Sequence, residues 1–406
     1  MTHLVLLFYF CINSALSNKL NEVFAWDKLI YTINGVHFRN NQDFEVTPER
    51  IDPKQEVADK DKFFIVYNNV PIGFEYDEWR VFVTVPRRRH GIPSTINYAY
   101  RSHTMPYLQP YAAASNLVSV YRPRKDVCNR LWMVDTGLLE VPGERQQIQK
   151  PAIVVFDLKT DEQILRHELK DSDLLNERTP GGLTSITVDV TRAACNDAYA
   201  YITDIATNSI IVFSLSTRNT WRIEDPSFVF DSMALNFTVA GHTINWPDGI
   251  FSITLGELNG RKMAFYHPLM STNEYMIDTE FLKNNSFKGN AILLGNRGPN
   301  TQSGSHAYHE KTKTIFFANV ANDAILCWNV ENKMAPENVA IAVQDHEKLV
   351  YISDLKVIRD EVWVLVNQMP RFVFSTLNIS EPNYFMHRAL VKDLIRGTVC
   401  DKNKHI

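Results

Sequence analysis

Polar side chains recur at the ends of short apolar runs, and through them this chain could do chemistry. Leu131-Trp-Met-Val-Asp135, Ala200-Tyr-Ile-Thr-Asp204 and Val362-Trp-Val-Leu-Val-Asn367 are near-copies of one another. Arg80-Val-Phe-Val-Thr84 and Ile315-Phe-Phe-Ala-Asn319 are weaker copies. Together with Gln302 and Ser353 they offer carboxylates, amides and hydroxyls. Such a set can take a proton from carbon and donate hydrogen bonds to oxygens that gain charge. Asp135 and Asp204 occupy repeated positions, so they also read as acceptors for the backbone of neighbouring turns. Asp248, before Gly249, reads as a turn residue. His267 is a candidate for proton transfer because imidazole titrates near neutrality. His306-Ala-Tyr-His309 has ligand-like spacing, but on a strand positions three apart point to opposite faces. No metal site and no cofactor are expected. The chain has no Gly-x-Ser-x-Gly elbow, no His-Glu-x-x-His and no P-loop, so standard hydrolase and nucleotide chemistry are not indicated.

The elements that must position these groups are strands. Each run is short, rich in β-branched and aromatic residues, and bounded by turn signals such as Asn259-Gly260 and Arg178-Thr-Pro-Gly-Gly182. Six such segments can be laid out, at about 62–101, 115–170, 183–230, 248–294, 303–345 and 347–378. Their recurrence predicts an all-β, six-bladed β-propeller with a central channel, in one domain spanning 18–406. A pair of β-sandwiches would explain the strands but not their repetition. Expected strands include Phe63-Phe-Ile-Val-Tyr67 in the first blade, Leu117-Val-Ser-Val-Tyr121 in the second and Arg371-Phe-Val-Phe374 in the last. Short helices are expected at Glu280–Asn284 and Ala389–Ile395. In a propeller the ligand site lies at a channel mouth, where the polar strand ends Asp135, Asp204, Gln302, Asn319, Ser353 and Asn367 would gather.

Hydrophobic content of 45% and charged content of 22% are ordinary for a globular protein. With a net charge of −4 nothing points to nucleic acid, and Arg87-Arg88-Arg89-His90 reads as a solvated basic loop. Leu4–Cys11 is apolar but too short to span a bilayer, and Ala15-Leu-Ser17 supplies small residues for cleavage. Residues 1–17 therefore read as a signal peptide, and the protein as secreted, with no membrane anchor. Of five cysteines, Cys128, Cys195, Cys327 and Cys400 remain after cleavage. Four allow three connectivities. Cys128 and Cys195 precede equivalent strands in successive repeats and are paired on that ground, which leaves Cys327 with Cys400. Asn236, Asn284 and Asn378 begin glycosylation triplets.

Several motifs go beyond a generic propeller. Phe24-Ala-Trp26-Asp27, Gly91-Ile-Pro93-Ser-Thr95, Cys128-Asn-Arg-Leu-Trp132-Met-Val-Asp135-Thr-Gly137, Pro247-Asp248-Gly249-Ile-Phe-Ser and Asn300-Thr-Gln302-Ser303 occur in this order, with Cys327-Trp328-Asn329 after them. In this order they resemble the yellow and major royal jelly protein family of insects. The resemblance runs from about Val23 to Asp401. It implies a secreted, glycosylated six-bladed propeller with two disulfides.

Within that family, the resemblance implies three functional readings. Pigmentation members include dopachrome-conversion enzymes, which tautomerise a cyclised dopa quinone to a dihydroxyindole. Salivary members bind biogenic amines, and royal jelly members are food proteins. Tyr266-His-Pro-Leu-Met-Ser-Thr272 and Asn300-Thr-Gln302-Ser303 favour the pigmentation branch. Matching the salivary binding motif puts Ser353 where a threonine stands, keeps Asn367, and replaces an aromatic with Met369. Asn367 thereby ranks first among the site residues, ahead of Ser353, Met369, Gln302, Asp135 and Asp204. Met packs on rings more loosely than an aromatic does, which argues against tight amine binding. The expected partner is a small aromatic, catechol or indole ligand, and the protein is expected to be a monomer. A non-enzymatic amine or catechol binder and a structural or storage protein remain the alternatives.

Overall fold

The computed structural model describes residues 19–41, 58–101, 104–141, 144–285 and 289–402. The signal segment at 1–17 lies outside them. Six four-stranded antiparallel sheets account for most of the chain. Their innermost strands are Gly73–Asp77, Arg124–Lys125, Leu183–Asp189, Ile250–Leu258, Ser303–His309 and Ile352–Ile358. Each of these contacts the next in ring order, and the last contacts the first. This is the six-bladed propeller that the repetition predicts. Within each blade the second strand is the apolar run. Arg130–Asp135, Ala200–Asp204 and Thr314–Asn319 are buried along their length because neighbouring blades cover both faces. That double burial is why these strands read as continuous apolar runs rather than alternating ones.

The ring is closed by the two ends of the chain. Asn21–Trp26 pairs antiparallel with Tyr384–Leu390 and becomes the outer strand of the last blade. Phe24 and Trp26 are fully buried, and the Trp26 indole donates to the Pro106 carbonyl at 2.9 Å. Cys128–Cys195 joins the second blade to the third, and Cys327–Cys400 ties the C-terminal segment to the fifth, as expected.

Three expected strands are not strands. Phe63–Tyr67 leads into a 3₁₀ turn at Val66–Asn68; Phe64 is apolar because it packs edge-on against Tyr31 and Phe38. Arg371–Phe374 lies in a helix, Met369–Phe374, because Pro370 sets up its first turn. The third strand of the last blade is instead Tyr384–Leu390. Leu117–Tyr121 makes only one bridge, between Val120 and Asp135. The two short helices form at Thr279–Lys283 and Val391–Ile395.

Closing the ring with one buried indole predicts a large effect of its removal. Trp26→Ala should destabilise by about 3–5 kcal/mol, read as a lower urea midpoint. An unchanged midpoint would mean that the outer strand adds little to closure.

Candidate functional site

At one mouth of the ring lies a cavity of about 400 Å³. Its floor comes from residues at or just before the first turns of inner strands, namely Ile72, Thr184, Phe251 and Ser353. Its walls come from the loops between strands. These bring in Arg88, Arg145, Arg178, Glu140 and Asp248, with Trp246 and Tyr351 as aromatic surfaces. A second hollow of about 330 Å³ shares Arg88, Arg145, Glu140, Met369 and Val373 with the first, and adds Arg89 and Phe372.

The basic run 87–89 builds this wall and is not simply a solvated loop. Arg87 is spent on four carbonyls, donating to Ile92, Leu117, Val118 and Pro93 at 3.0–3.2 Å. It thereby pins the loop that presents its neighbours. Arg88 faces the cavity, 3.5 Å from the Glu140 carboxylate. Arg89 lies over the Phe372 ring at 5.4 Å. Arg122 crosses the ring axis. Its guanidinium donates to the Ser353 carbonyl at 3.0 Å and the Thr184 carbonyl at 3.2 Å, and stacks 4.5 Å from the Phe251 ring centre. Burial lowers its pKa, with Asp354, Tyr351 and Tyr121 opposing.

Asp248 enters from the Trp246-Pro247-Asp248 turn. A side chain at Gly249 would collide with Asn208 Oδ1 and the Phe228 carbonyl, so glycine is what lets this turn lie against the third blade. Asp248 is half-buried. Burial raises its carboxyl to about 6, against the pull of Arg88 and Arg178. A carboxylate tuned to that value is suited to accept a proton near neutral pH. Composition marked Asp248 only as a turn residue. The turn is real, and the side chain also faces the cavity.

Of the six site residues named from the sequence, Ser353 and Met369 line the cavity. The Ser353 hydroxyl donates to the Ile72 carbonyl at 2.7 Å. The other four hold loops. Asp135 accepts from the backbone N–H of Val118, Ser119 and Gly137 at 2.9–3.1 Å. Asp204 accepts from Ala206 and Thr207 at 3.1 Å and pairs with Arg222 at 3.3 Å. Asn367 donates to the Pro71 carbonyl at 2.9 Å and accepts from the Met369 N–H at 3.1 Å. Gln302 donates to the Ala234 carbonyl at 2.9 Å. Asn319, from the same reading, holds the Asn300 carbonyl and the Ala321 N–H. The acceptors for neighbouring turns that the repeated Asp positions suggested are therefore present. The three sequon residues Asn236, Asn284 and Asn378 are exposed, as a glycan acceptor must be.

The comparisons with known proteins agree with the family resemblance carried by the motifs. The family model described as major royal jelly protein matches residues 118–400. The chain belongs to the yellow and major royal jelly protein family. It is 38% identical to the L-dopachrome tautomerase yellow-f of Drosophila melanogaster, over 96% of this chain and 96% of that one. It is 30% identical to a dopaminechrome tautomerase of the same species, over 83% of this chain and 78% of that one. Protein yellow of Drosophila subobscura is 31% identical, over 94% of this chain and 67% of its own. Among solved structures, a virginiamycin B lyase from Staphylococcus aureus overlays with a TM-score of 0.45 at 11% identity, covering 80% of this chain and 96% of that one.

One polar cluster of this yellow-family propeller lies away from the cavity. His267, Glu274, Arg297 and His306 are buried between the fourth and fifth blades. Arg297 donates to Glu274 at 2.6 Å and to the Ser271 and Asn273 carbonyls at 2.8 Å. His267 Nδ1 lies 2.9 Å from Glu274, and its Nε2 faces the Ser303 and Gly304 carbonyls at 3.1 Å. All of these neighbours are acceptors, so the His267–Glu274 contact needs a proton between them. His306 contacts the Ser252 hydroxyl and the Phe265 carbonyl, whereas His309 contacts Thr312 and Asp360. The two histidines of the 306–309 motif thus serve different neighbours. Ligand atoms of His267, Glu274 and His306 lie within 4.8 Å of one another, a spacing a metal could use. However, Arg297 already sets a cation on the carboxylate and each ring nitrogen has a protein partner. The group reads as an interblade clamp, which removes His267 from the proton-transfer candidates at the cavity.

Breaking a buried pair leaves a charge uncompensated. Arg297→Leu should cost about 3–5 kcal/mol of stability by chemical denaturation. A loss below about 1 kcal/mol would show that the clamp is not structural.

Proposed function

We propose that this protein is a secreted dopachrome-conversion enzyme, an isomerase that tautomerises dopachrome to a dihydroxyindole in melanin formation. The observation that carries this reading is Asp248, a half-buried carboxylate raised to about 6 in a cavity lined by arginines and aromatic rings. Relatives named for dopachrome and dopaminechrome tautomerisation support it. The two disulfides fit an oxidising compartment.

The chemistry needs only a base and a place for negative charge. Asp248 takes a proton from ring carbon. The electron pair of that C–H bond moves into the ring, and one quinone oxygen becomes phenolate-like. Arg88 and Arg122 supply fixed positive charge for that oxygen. A proton added to that oxygen gives a quinone methide. Loss of the proton from the adjacent ring carbon then sends a second electron pair into the ring, and the second oxygen takes up a proton. The dihydroxyindole is therefore an isomer of the substrate, and no oxidant or reductant is consumed. Phe251, Trp246 and Tyr351 give the flat ring apolar surfaces. Amine binding is the weaker reading, because four arginines line the cavity against two carboxylates, Glu140 and Asp248. Such a lining repels a cation.

Purified protein added to L-dopachrome should speed the loss of its visible absorbance. The rate constant kcat/KM should rise through pH of about 6 and level off above it, because the base works only when deprotonated. Asp248→Asn should lower kcat by about 10²–10⁴-fold and abolish that pH step. Burial holds the folded-state pKa above the ordinary carboxylate value. Ionisation therefore costs the folded state stability as pH rises through this window, so Asp248→Asn should leave stability unchanged or raised. No acceleration by wild type between about pH 5 and 8 would contradict the reading.

A further inference from the structure

The arginines at the cavity have different partners. Arg88 is beside Glu140, and Arg122 is committed to two carbonyls and a ring. Arg145 and Arg178 are exposed at the rim, and among the described residues neither makes an ion pair within 4.0 Å. Their backbones are fixed all the same. Arg145 stands opposite Glu140 in the hairpin formed by Leu138–Val141 and Glu144–Gln147. Arg178 caps the short helix Thr179–Gly182. Arg145 reaches over that turn beside Glu140: a Cβ on Gly181 would come within 2.9 Å of Arg145 Nη2 and 3.2 Å of Glu140 Oε1. Glycine there leaves room for the guanidinium. Arg178 lines the same cavity as Asp248, and its charge opposes the rise of that carboxyl's pKa.

We infer that Arg145 and Arg178 form a carboxylate-reading fork that selects substrates bearing a carboxylate next to the carbon that loses its proton. The inference rests on the isomerase reading above and names its substrate class. Two exposed guanidiniums that make no ion pair within 4.0 Å among the described residues, on a cavity lined by four arginines against two carboxylates, leave positive charge there for a ligand to meet. Planar guanidinium pairs carboxylate through two parallel hydrogen bonds. The geometry also fits the chemistry. In a cyclised dopa quinone the carboxylate sits at the same end of the molecule as the C–H that must break, and Arg178 and Asp248 line the same cavity. A substrate lacking the carboxylate would leave the fork unpaired and lose that orientation.

The test compares L-dopachrome with dopaminechrome, which differ by the carboxylate. Wild type should favour L-dopachrome in kcat/KM by about tenfold or more, and the double variant R145Q/R178Q, compared at a pH above the Asp248 step, should bring the ratio of the two substrates close to one. A binding arm keeps this separate from catalysis. By calorimetry, wild type should bind indole-2-carboxylate about tenfold tighter than indole, and the double variant should bind the two alike. Equal affinity of wild type for both indoles, or equal weakening of both in the variant, would overturn the fork. A carboxylate preference in binding without turnover of either chrome would support the fork and count against the isomerase reading alone.

Discussion

Charge at the axis decides where this propeller can hold a ligand. Arg122 spans the ring, bonding a carbonyl of the third blade and one of the last while stacking on a ring of the fourth. Deeper along the axis, Lys356 is buried between Glu75 at 3.5 Å and Asp354 at 3.6 Å, and donates to the Pro123 carbonyl at 2.9 Å. Asp354 in turn accepts from Phe74 N–H and Ser305 Oγ, each at 3.1 Å. The inner strands are thus joined by charge-assisted hydrogen bonds across the axis, where a buried charge must be fully partnered. The space left for a ligand is the mouth above Arg122, and its walls are the interstrand loops.

This division of labour explains the two kinds of polar residue. Those at strand ends are tied by hydrogen bonds to the backbone of neighbouring loops. Those on loops have fewer internal partners and point into the cavity. The strand ends fix the loops, and the loops carry the groups that meet solvent and ligand. Asp135, Asp204 and Asn367 therefore matter to the site through its shape. Arg87 does the same for the 87–89 loop from the loop itself.

Much of the fold is legible in the sequence because the second strand of each blade is buried on both faces. Leu131–Asp135, Ala200–Asp204 and Val362–Val366 announce themselves for that reason. Period and composition mislead where an apolar run packs without a pairing edge, as at Phe63–Tyr67, or where a proline starts a helix, as at Pro370. Closure by Asn21–Trp26 is hidden because its partner strand lies more than 350 residues away. The site is harder still. Ser353 and Met369 were within reach through the family motif, which named positions at the mouth. Arg88 and Asp248 sit in Pro- and Gly-bearing turns, and residue type there signals only a turn. What distinguishes them is burial and charge supplied by distant loops, and no local window contains that information. The Arg-Arg-Arg run and the Trp-Pro-Asp-Gly turn were the available signals, each visible but without a stated target.

The account stands on a ligand at the mouth, above Arg122 and against Asp248, rather than along the axis or on Asn367. A crystal structure with indole-2-carboxylate bound tests this most directly. The account predicts the ring against Phe251 and Tyr351, its carboxylate toward Arg145 and Arg178, and Asp248 within hydrogen-bonding or van der Waals reach of the five-membered ring. A ligand seated below Arg122, or in contact with Asn367 and away from Asp248, would contradict it.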